Sequence, residues 1–186
     1  MLKIMLAGCI ITILFNITAS YSRFLETGLN KRYIRDELNK AASVLLMSIE
    51  ENPVNHDKIK IAETSGLFAD TDKLFSEYNG FIRNCRYIRK EEVKLKILIF
   101  DGIIRYFDTE DKEIYIEPAG EGNETPDKIK RQLLKIFDSD DFEIRRTFFN
   151  GLDENMLILI HENKANTIGF NSNTDISYEY AKIWVK

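Results

Sequence analysis

The stretch Val93-Lys-Leu-Lys-Ile-Leu-Ile-Phe-Asp-Gly-Ile-Ile-Arg-Tyr-Phe107 decides the fold class of this chain. Apolar and β-branched residues dominate Val93–Phe100 and again Ile103–Phe107, which is typical of two strands. Asp101 and Gly102, which stand between them, form a dipeptide that favours the tight turn of a β-hairpin. The sequence therefore predicts an antiparallel hairpin with Asp101 and Gly102 as its structural turn.

More strands are predicted on the C-terminal side of this hairpin. Residues 108–112 read as a turn, and Glu113–Glu117 alternates, with Ile114 and Ile116 on one face. Four later stretches have strand-like composition and are separated by turn residues: Phe142–Phe149, Met156–His161, Thr167–Phe170 and Ile176–Val185. Strands joined by such short turns indicate an antiparallel sheet.

The helices are predicted from a different period. In Ser22–Glu51 apolar residues recur at steps of three or four, which indicates one amphipathic helix that ends before Pro53. Thr125-Pro126-Asp127 is a helix start, and Asp70–Asn79 predicts a short helix that Gly80 ends. The predicted fold class is α+β: an N-terminal apolar helix continues into an amphipathic helix packed on an antiparallel sheet, with one further helix.

The two halves of the Ser22–Glu51 helix differ in composition. Ala41–Ile49 is apolar on nearly all sides, so we expect it in the core, against strands at Leu95–Ile99 and Leu157–Leu159. The inward stripe comprises Ile34, Leu38, Ala41, Leu45 and Ile49. Ser22–Arg35 is rich in charge, and we expect it to project from the domain.

The first residues form an uncharged run, Ile4–Ser20, which reaches about 25 Å as a helix. An uncleaved membrane anchor over residues 1–21 is the favoured interpretation, with residues 22–186 as a single domain. A cleaved signal peptide and a buried core helix are the alternatives. The predicted anchor residues are Ile4, Leu6, Ile10, Ile11, Ile13, Leu14, Phe15 and Ile17.

Composition excludes several classes of protein. Of the 186 residues 44% are hydrophobic and 30% charged, which is the composition of a folded domain and not of a disordered chain. The net charge of −4 and the scattered lysines and arginines predict no nucleic-acid partner. Cys9 and Cys85 lie far apart in the sequence, so no disulfide framework is expected.

No catalytic constellation is recognisable. His56 and His161 are the only histidines, and no nucleophile elbow or phosphate-cradling loop accompanies them. Asp101 is explained by the turn, and the basic stretch from Arg83 to Lys90 reads as a surface strand with salt-bridged charges. Two acidic clusters, Asp108–Asp111 and Asp138–Asp141, are expected to be solvated turns or helix ends. We predict no catalytic, metal or cofactor residues and no enzymatic activity.

The order of elements resembles bacterial type IV minor pilins and the pseudopilins of secretion systems. The apolar Ile4–Ser20 run enters the Ser22–Glu51 helix, and an antiparallel sheet with a segment such as Ile103–Ile116 follows. The resemblance is one of architecture, without the family's prepilin motif. It implies a single-pass membrane protein whose C-terminal domain faces outside the cytoplasm, although the basic residues after the run point weakly inward.

The resemblance sets the first functional expectation, a non-enzymatic, membrane-anchored structural subunit of a cell-envelope assembly. Its partners would be membrane lipid and other envelope or pilus-like subunits. The alternative is a membrane-tethered binding or sensor module that recognises a protein or a small ligand.

Overall fold

A computed structural model of the chain describes residues 2–50, 71–100, 102–121, 123–137, 146–152, 155–166 and 174–184. The α-helices are α1 (Leu2–Glu50), α2 (Thr71–Ile82) and α3 (Glu124–Phe137). The strands are β1 (Val93–Phe100), β2 (Ile103–Phe107), β3 (Glu113–Pro118), β4 (Met156–Asn166) and β5 (Thr174–Trp184), with 3₁₀ turns at Lys90–Glu92 and Arg146–Phe148. Helices pack on one antiparallel sheet, which confirms the predicted α+β class.

The sheet has the order β3-β2-β1-β4-β5, so the first strand lies at its centre. β1 pairs with β2 through the hairpin and with β4 across more than 50 residues of sequence, as in Ile99 opposite Met156. β4 and β5 pair over eleven positions, from Met156 opposite Trp184 to Asn166 opposite Thr174. All neighbours are antiparallel.

The predicted hairpin is present with a two-residue connection. Phe100 lies opposite Ile103 and Ile99 opposite Ile104, which leaves only positions 101 and 102 to turn the chain. Gly102 has a φ of 76°, in the left-handed region that glycine adopts without steric cost. Its carbonyl accepts a hydrogen bond from the backbone N–H of Ala119 at 2.8 Å, which holds the turn against the end of β3. Asp101 lies outside the described residues, so its own role in the turn stays a prediction.

Both faces of the sheet are covered, and each has its own core. α1 and α2 cover the face that carries Leu98, Leu157 and Leu159, which we call the inner face. α3 covers the opposite face, where Ile97 and Ile158 are fully buried. Because side chains alternate along a strand, β1 contributes side chains to both cores, which explains its nearly continuous apolar sequence.

The stripe predicted for the long helix lies in the inner core. Leu38, Ala41, Leu45 and Ile49 are at most 1% exposed, and Ile34 is 6% exposed. The expectation for the facing strands was only partly right. α1 packs chiefly on β5 and α2 rather than on β1, and of residues 95–99 it is Leu95, Ile97 and Ile99 that face the other core.

Two other local predictions are partly wrong. α2 runs two residues past Gly80, which is exposed within the helix and does not end it. The end of the strand predicted for Phe142–Phe149 is instead a 3₁₀ turn that buries Phe148 completely. The start of that strand, the predicted strand Thr167–Phe170 and the acidic cluster Asp138–Asp141 lie outside the described residues.

Candidate functional site

The first feature with a functional character is the N-terminal part of α1. From Ile10 to Tyr33 none of the described side chains is buried, and Ile34 is the first buried residue among those of the helix whose side chains are described. We call Ile10–Asn30 the projecting segment, since Lys31–Tyr33 already lie against the domain. α1 has 49 residues and is therefore about 73 Å long, far longer than the domain needs to cover its sheet.

Large apolar side chains are exposed over a wide sector of the first part of this segment. Because successive residues of a helix point about 100° apart, these side chains span about 200° of the circumference, and the polar Thr12 and Asn16 lie on the remaining side. The exposed fractions are between 50% and 73% at Ile10, Ile11, Ile13, Leu14, Phe15 and Ile17, all of them predicted anchor residues. The side chains of Ile4 and Leu6 lie outside the described part of the chain.

The polar residues of the same stretch bond within the helix. The Asn16 side-chain amide donates to the carbonyl of Thr12 at 2.9 Å, and the Thr18 hydroxyl donates to the carbonyl of Leu14 at 2.8 Å. These bonds to the preceding turn leave fewer polar groups in need of water. Among the residues whose placement is described, no helix is both long enough and apolar enough to cross a membrane.

The second feature is the junction where α1 enters the domain. The Glu37 carboxylate accepts three successive backbone N–H groups, those of Arg86 at 3.0 Å, Tyr87 at 2.7 Å and Ile88 at 3.1 Å. The ring of Tyr33 stacks on that of Tyr87 with 4.8 Å between centroids. The basic stretch from Arg83 to Lys90, predicted as a surface strand, is instead an irregular segment that is fixed to α1 through its backbone.

A cleft opens beside this junction. Its volume is about 460 Å³, and its lining is mostly charged: Gly28, Lys31, Arg32, Arg35, Asp36 and Glu179. Arg35 reaches across from α1 to β5, where its guanidinium donates to Glu179 at 2.7 Å. This hydrogen bond raises the pKa of Arg35. Lys31 and Arg32 are the other basic residues of the lining.

The third feature is a set of buried charges on the inner face. His161 is 2% exposed and lies opposite Glu179 in the β4–β5 ladder, with its Nε2 3.3 Å from a Glu92 carboxylate oxygen. Burial lowers the pKa of His161, and the charges of Glu92, Glu179 and Glu162 oppose that shift. At the other end of the face Arg105 and Glu113 approach to 3.5 Å.

The densest polar contacts surround Asp111 in the β2–β3 turn. Its carboxylate lies 2.9 Å from Lys96 Nζ and 2.7 Å from Lys90 Nζ, and it accepts a hydrogen bond from the Asn79 side chain at 2.7 Å. Asp111 is 2% exposed and has a φ of 63°, a conformation that aspartate tolerates better than most residues. The expectation that Asp108–Asp111 is solvated is therefore wrong for Asp111.

Sequence reasoning missed the lysine partner of this cluster. Lys96 interrupts an apolar strand whose two faces are both buried, so a buried counter-charge was required. The alternation of Lys94 and Lys96 was instead compatible with a solvated face. Of the other candidates, His56 lies outside the described residues, and among the described ones no three His, Cys, Asp or Glu side chains are grouped to hold a metal ion.

Comparison with known proteins adds no assignment. No protein-family description, no curated protein and no solved structure matches the chain.

Proposed function

We propose that the chain is a membrane-anchored, non-enzymatic structural subunit of a cell-envelope assembly. The observation that carries this proposal is the exposure of six large apolar side chains over more than half of the circumference of α1 between Ile10 and Ile17. An exposed apolar sector of this width needs an apolar environment, which is either a bilayer or a bundle of other helices.

The sequence of the run supports the bilayer as that environment. The exposed side chains form the middle of the uncharged run Ile4–Ser20, and Tyr21, which is 63% exposed, follows at its end. Tyrosine is enriched at membrane–water interfaces, where its ring and hydroxyl meet different surroundings. In the proposed arrangement the run lies in lipid, and the domain is carried outside the cytoplasm.

The continuity of α1 supports a structural role. One uninterrupted helix joins the projecting segment to the core at Ile34, Leu38 and Leu45, so the anchor cannot move independently of the sheet. A rigid connection of this kind suits a subunit that packs in a fixed orientation beside identical or related subunits. A flexible linker would be expected where the membrane serves only as a tether.

Fractionation of cell membranes tests the anchor. In Ile10→Lys/Leu14→Lys, each charge near the bilayer centre costs about 2.5–3.5 kcal/mol, so the protein should move from the carbonate-resistant membrane fraction to the supernatant. Met47→Lys is the matched control because Met47 is 55% exposed on the same helix but lies beside the domain. Parent protein in the supernatant, with its N terminus intact, would refute the anchor.

A second candidate, a membrane-tethered binding module, is favoured by the charged cleft at the junction of α1 and β5. Oxidative cross-linking through Cys9 in a Cys85→Ser background separates the two. A structural subunit should give Cys9-linked dimers in native membranes, because neighbouring runs pack side by side. A tethered module that works alone should remain monomeric under the same oxidation.

A further inference from the structure

Lys96 is a buried amine in aromatic surroundings. It is 0% exposed, and its Nζ lies 5.6 Å from the centroid of the Phe75 ring and 5.8 Å from that of Tyr78, both on α2. Burial lowers the pKa of Lys96, with the charge of Asp111 opposing that shift. The side chain therefore gives up its proton more readily than a lysine in water, and a neutral amine is a nucleophile.

Asp111 connects this amine to an amide. One carboxylate oxygen lies 2.9 Å from Lys96 Nζ, and the other accepts the hydrogen bond from Asn79 Nδ2 at 2.7 Å. The Asn79 carbonyl oxygen is buried without a hydrogen-bond partner among the described residues. The Asp111 carboxylate thus contacts both Lys96 Nζ and Asn79 Nδ2. These are the entering and leaving nitrogen atoms if the Asn79 acyl group is transferred to Lys96.

We propose that Lys96 and Asn79 form an isopeptide bond within the folded domain, with Asp111 as the group that moves the protons. Asp111 takes a proton from the Lys96 ammonium, and the neutral Nζ attacks Cγ of Asn79 to form the new C–N bond. The Asp111 proton then passes to Nδ2 as the old C–N bond breaks, and ammonia leaves. Nζ also loses a second proton, which converts the departing ammonia to ammonium. No atom changes its oxidation state, so no oxidant or reductant is needed.

The position of the bond suits a structural subunit, although the chemistry does not depend on that role. Asn79 lies on α2 and Lys96 on the central strand β1, so the bond would tie a helix of the inner layer covalently to the sheet. The rings of Phe75, Tyr78 and Phe107 surround the Lys96 side chain. The rings of Phe75 and Phe107 are 5.1 Å apart between centroids. Exclusion of water protects a neutral amine and favours acyl transfer over hydrolysis.

Mass spectrometry of the full-length protein decides the proposal. We expect the protein to weigh one ammonia, about 17 Da, less than its sequence, with one branched peptide that joins the segments around residues 79 and 96. Lys96→Met should restore the full mass. Lys94→Met, a change on the same strand, should retain the loss. Asp111→Asn keeps both reacting side chains and should also show the full mass.

Three outcomes would overturn it. Parent protein of full mass would leave the cluster as a buried ion pair only, and this result does not depend on any variant folding. A loss of about 18 Da, the mass of water, would make Asp111 the acyl donor in place of Asn79. A loss of about 17 Da that persists in Lys96→Met, with linear peptides only, would indicate succinimide formation at Asn79-Gly80.

Discussion

Two ion pairs lie at the inner face of the sheet. Lys96 and Asp111 form a pair at the edge of α2, and Arg35 and Glu179 form one under α1. The Arg35–Glu179 pair joins α1 to β5, which are distant in sequence, whereas the Lys96–Asp111 pair joins β1 to the nearby β2–β3 turn. Each pair has at least one member that is 3% exposed or less, so loss of its partner leaves an uncompensated buried charge and destabilises the fold.

His161 gives the clearest prediction at this scale. Its pKa is lowered by burial, so the unfolded chain takes up a proton at about pH 6.5 while the folded chain does so only at lower pH. Between those two values protons favour the unfolded state, and the free energy of unfolding falls as the pH falls. His161→Gln should therefore flatten the decline in stability as the pH falls below about 6.5, measured by urea unfolding. Parallel pH profiles for parent and variant would contradict this.

At the scale of elements, the hairpin depends on one backbone conformation. Gly102 has a φ of 76°, and nothing lies within 4 Å of the position that a Cβ would take. A substitution there is disfavoured by backbone strain and not by crowding, so the cost depends on the type of residue. β-branched side chains resist the left-handed region most, whereas asparagine tolerates it.

Gly102→Val should lower the free energy of unfolding by about 1–3 kcal/mol. Gly102→Asn is the matched control at the same site and should cost less than half as much. Thermal and urea unfolding of both variants provide the measurement. Equal losses in the two variants would show that the turn does not depend on its φ.

The long helix supports a second comparison within one element. Leu45 is 1% exposed in the inner core, whereas Leu29 is 50% exposed on the projecting segment. Leu45→Ala should destabilise the domain by about 2–5 kcal/mol, the usual cost of a cavity in a core. Leu29→Ala should stay within about 0.5 kcal/mol, as an exposed site does. Similar unfolding midpoints for the two variants would refute the division of α1 into a buried and a projecting part.

These elements also show what the sequence could predict. The stripe of α1 and the meander β1–β2–β3 were predictable because their signals are local: a period of three to four residues, and turn residues between short apolar runs. The pairing of β1 with β4 was not, because no local pattern records which distant strand completes a sheet. The Asp111 cluster was missed for the same reason, since its members come from α2, β1 and the β2–β3 turn.

The predicted anchor residues could be recognised in the sequence, but their exposure could not. Their apolar character is plain in the sequence, and the six whose side chains are described, from Ile10 to Ile17, are all at least 50% exposed. Sequence alone could not decide between a projecting helix and a buried one, because both carry a wide apolar sector. The absence of buried side chains before Ile34 among the described residues favours projection.

At the scale of the whole molecule, α1 belongs to the folded domain at one end and leaves it at the other. Its C-terminal part is the inner layer of a domain whose sheet is covered on both faces, and its N-terminal part exposes an apolar surface that the described domain does not cover. Exposed apolar surface of this extent is rare in a protein that functions alone in water. The proposed anchor and the proposed packing between subunits both follow from this division.

The most direct test is the depth of the projecting segment in a lipid bilayer. In full-length protein reconstituted into liposomes, with Cys9 and Cys85 replaced by Ser, spin labels are attached at Phe15→Cys and, as the control on the same helix, at Leu29→Cys. We predict that the label at position 15 is relaxed by oxygen and shielded from a water-soluble nickel chelate, and that the label at position 29 shows the reverse. Equal access of the nickel chelate to both labels would contradict the account.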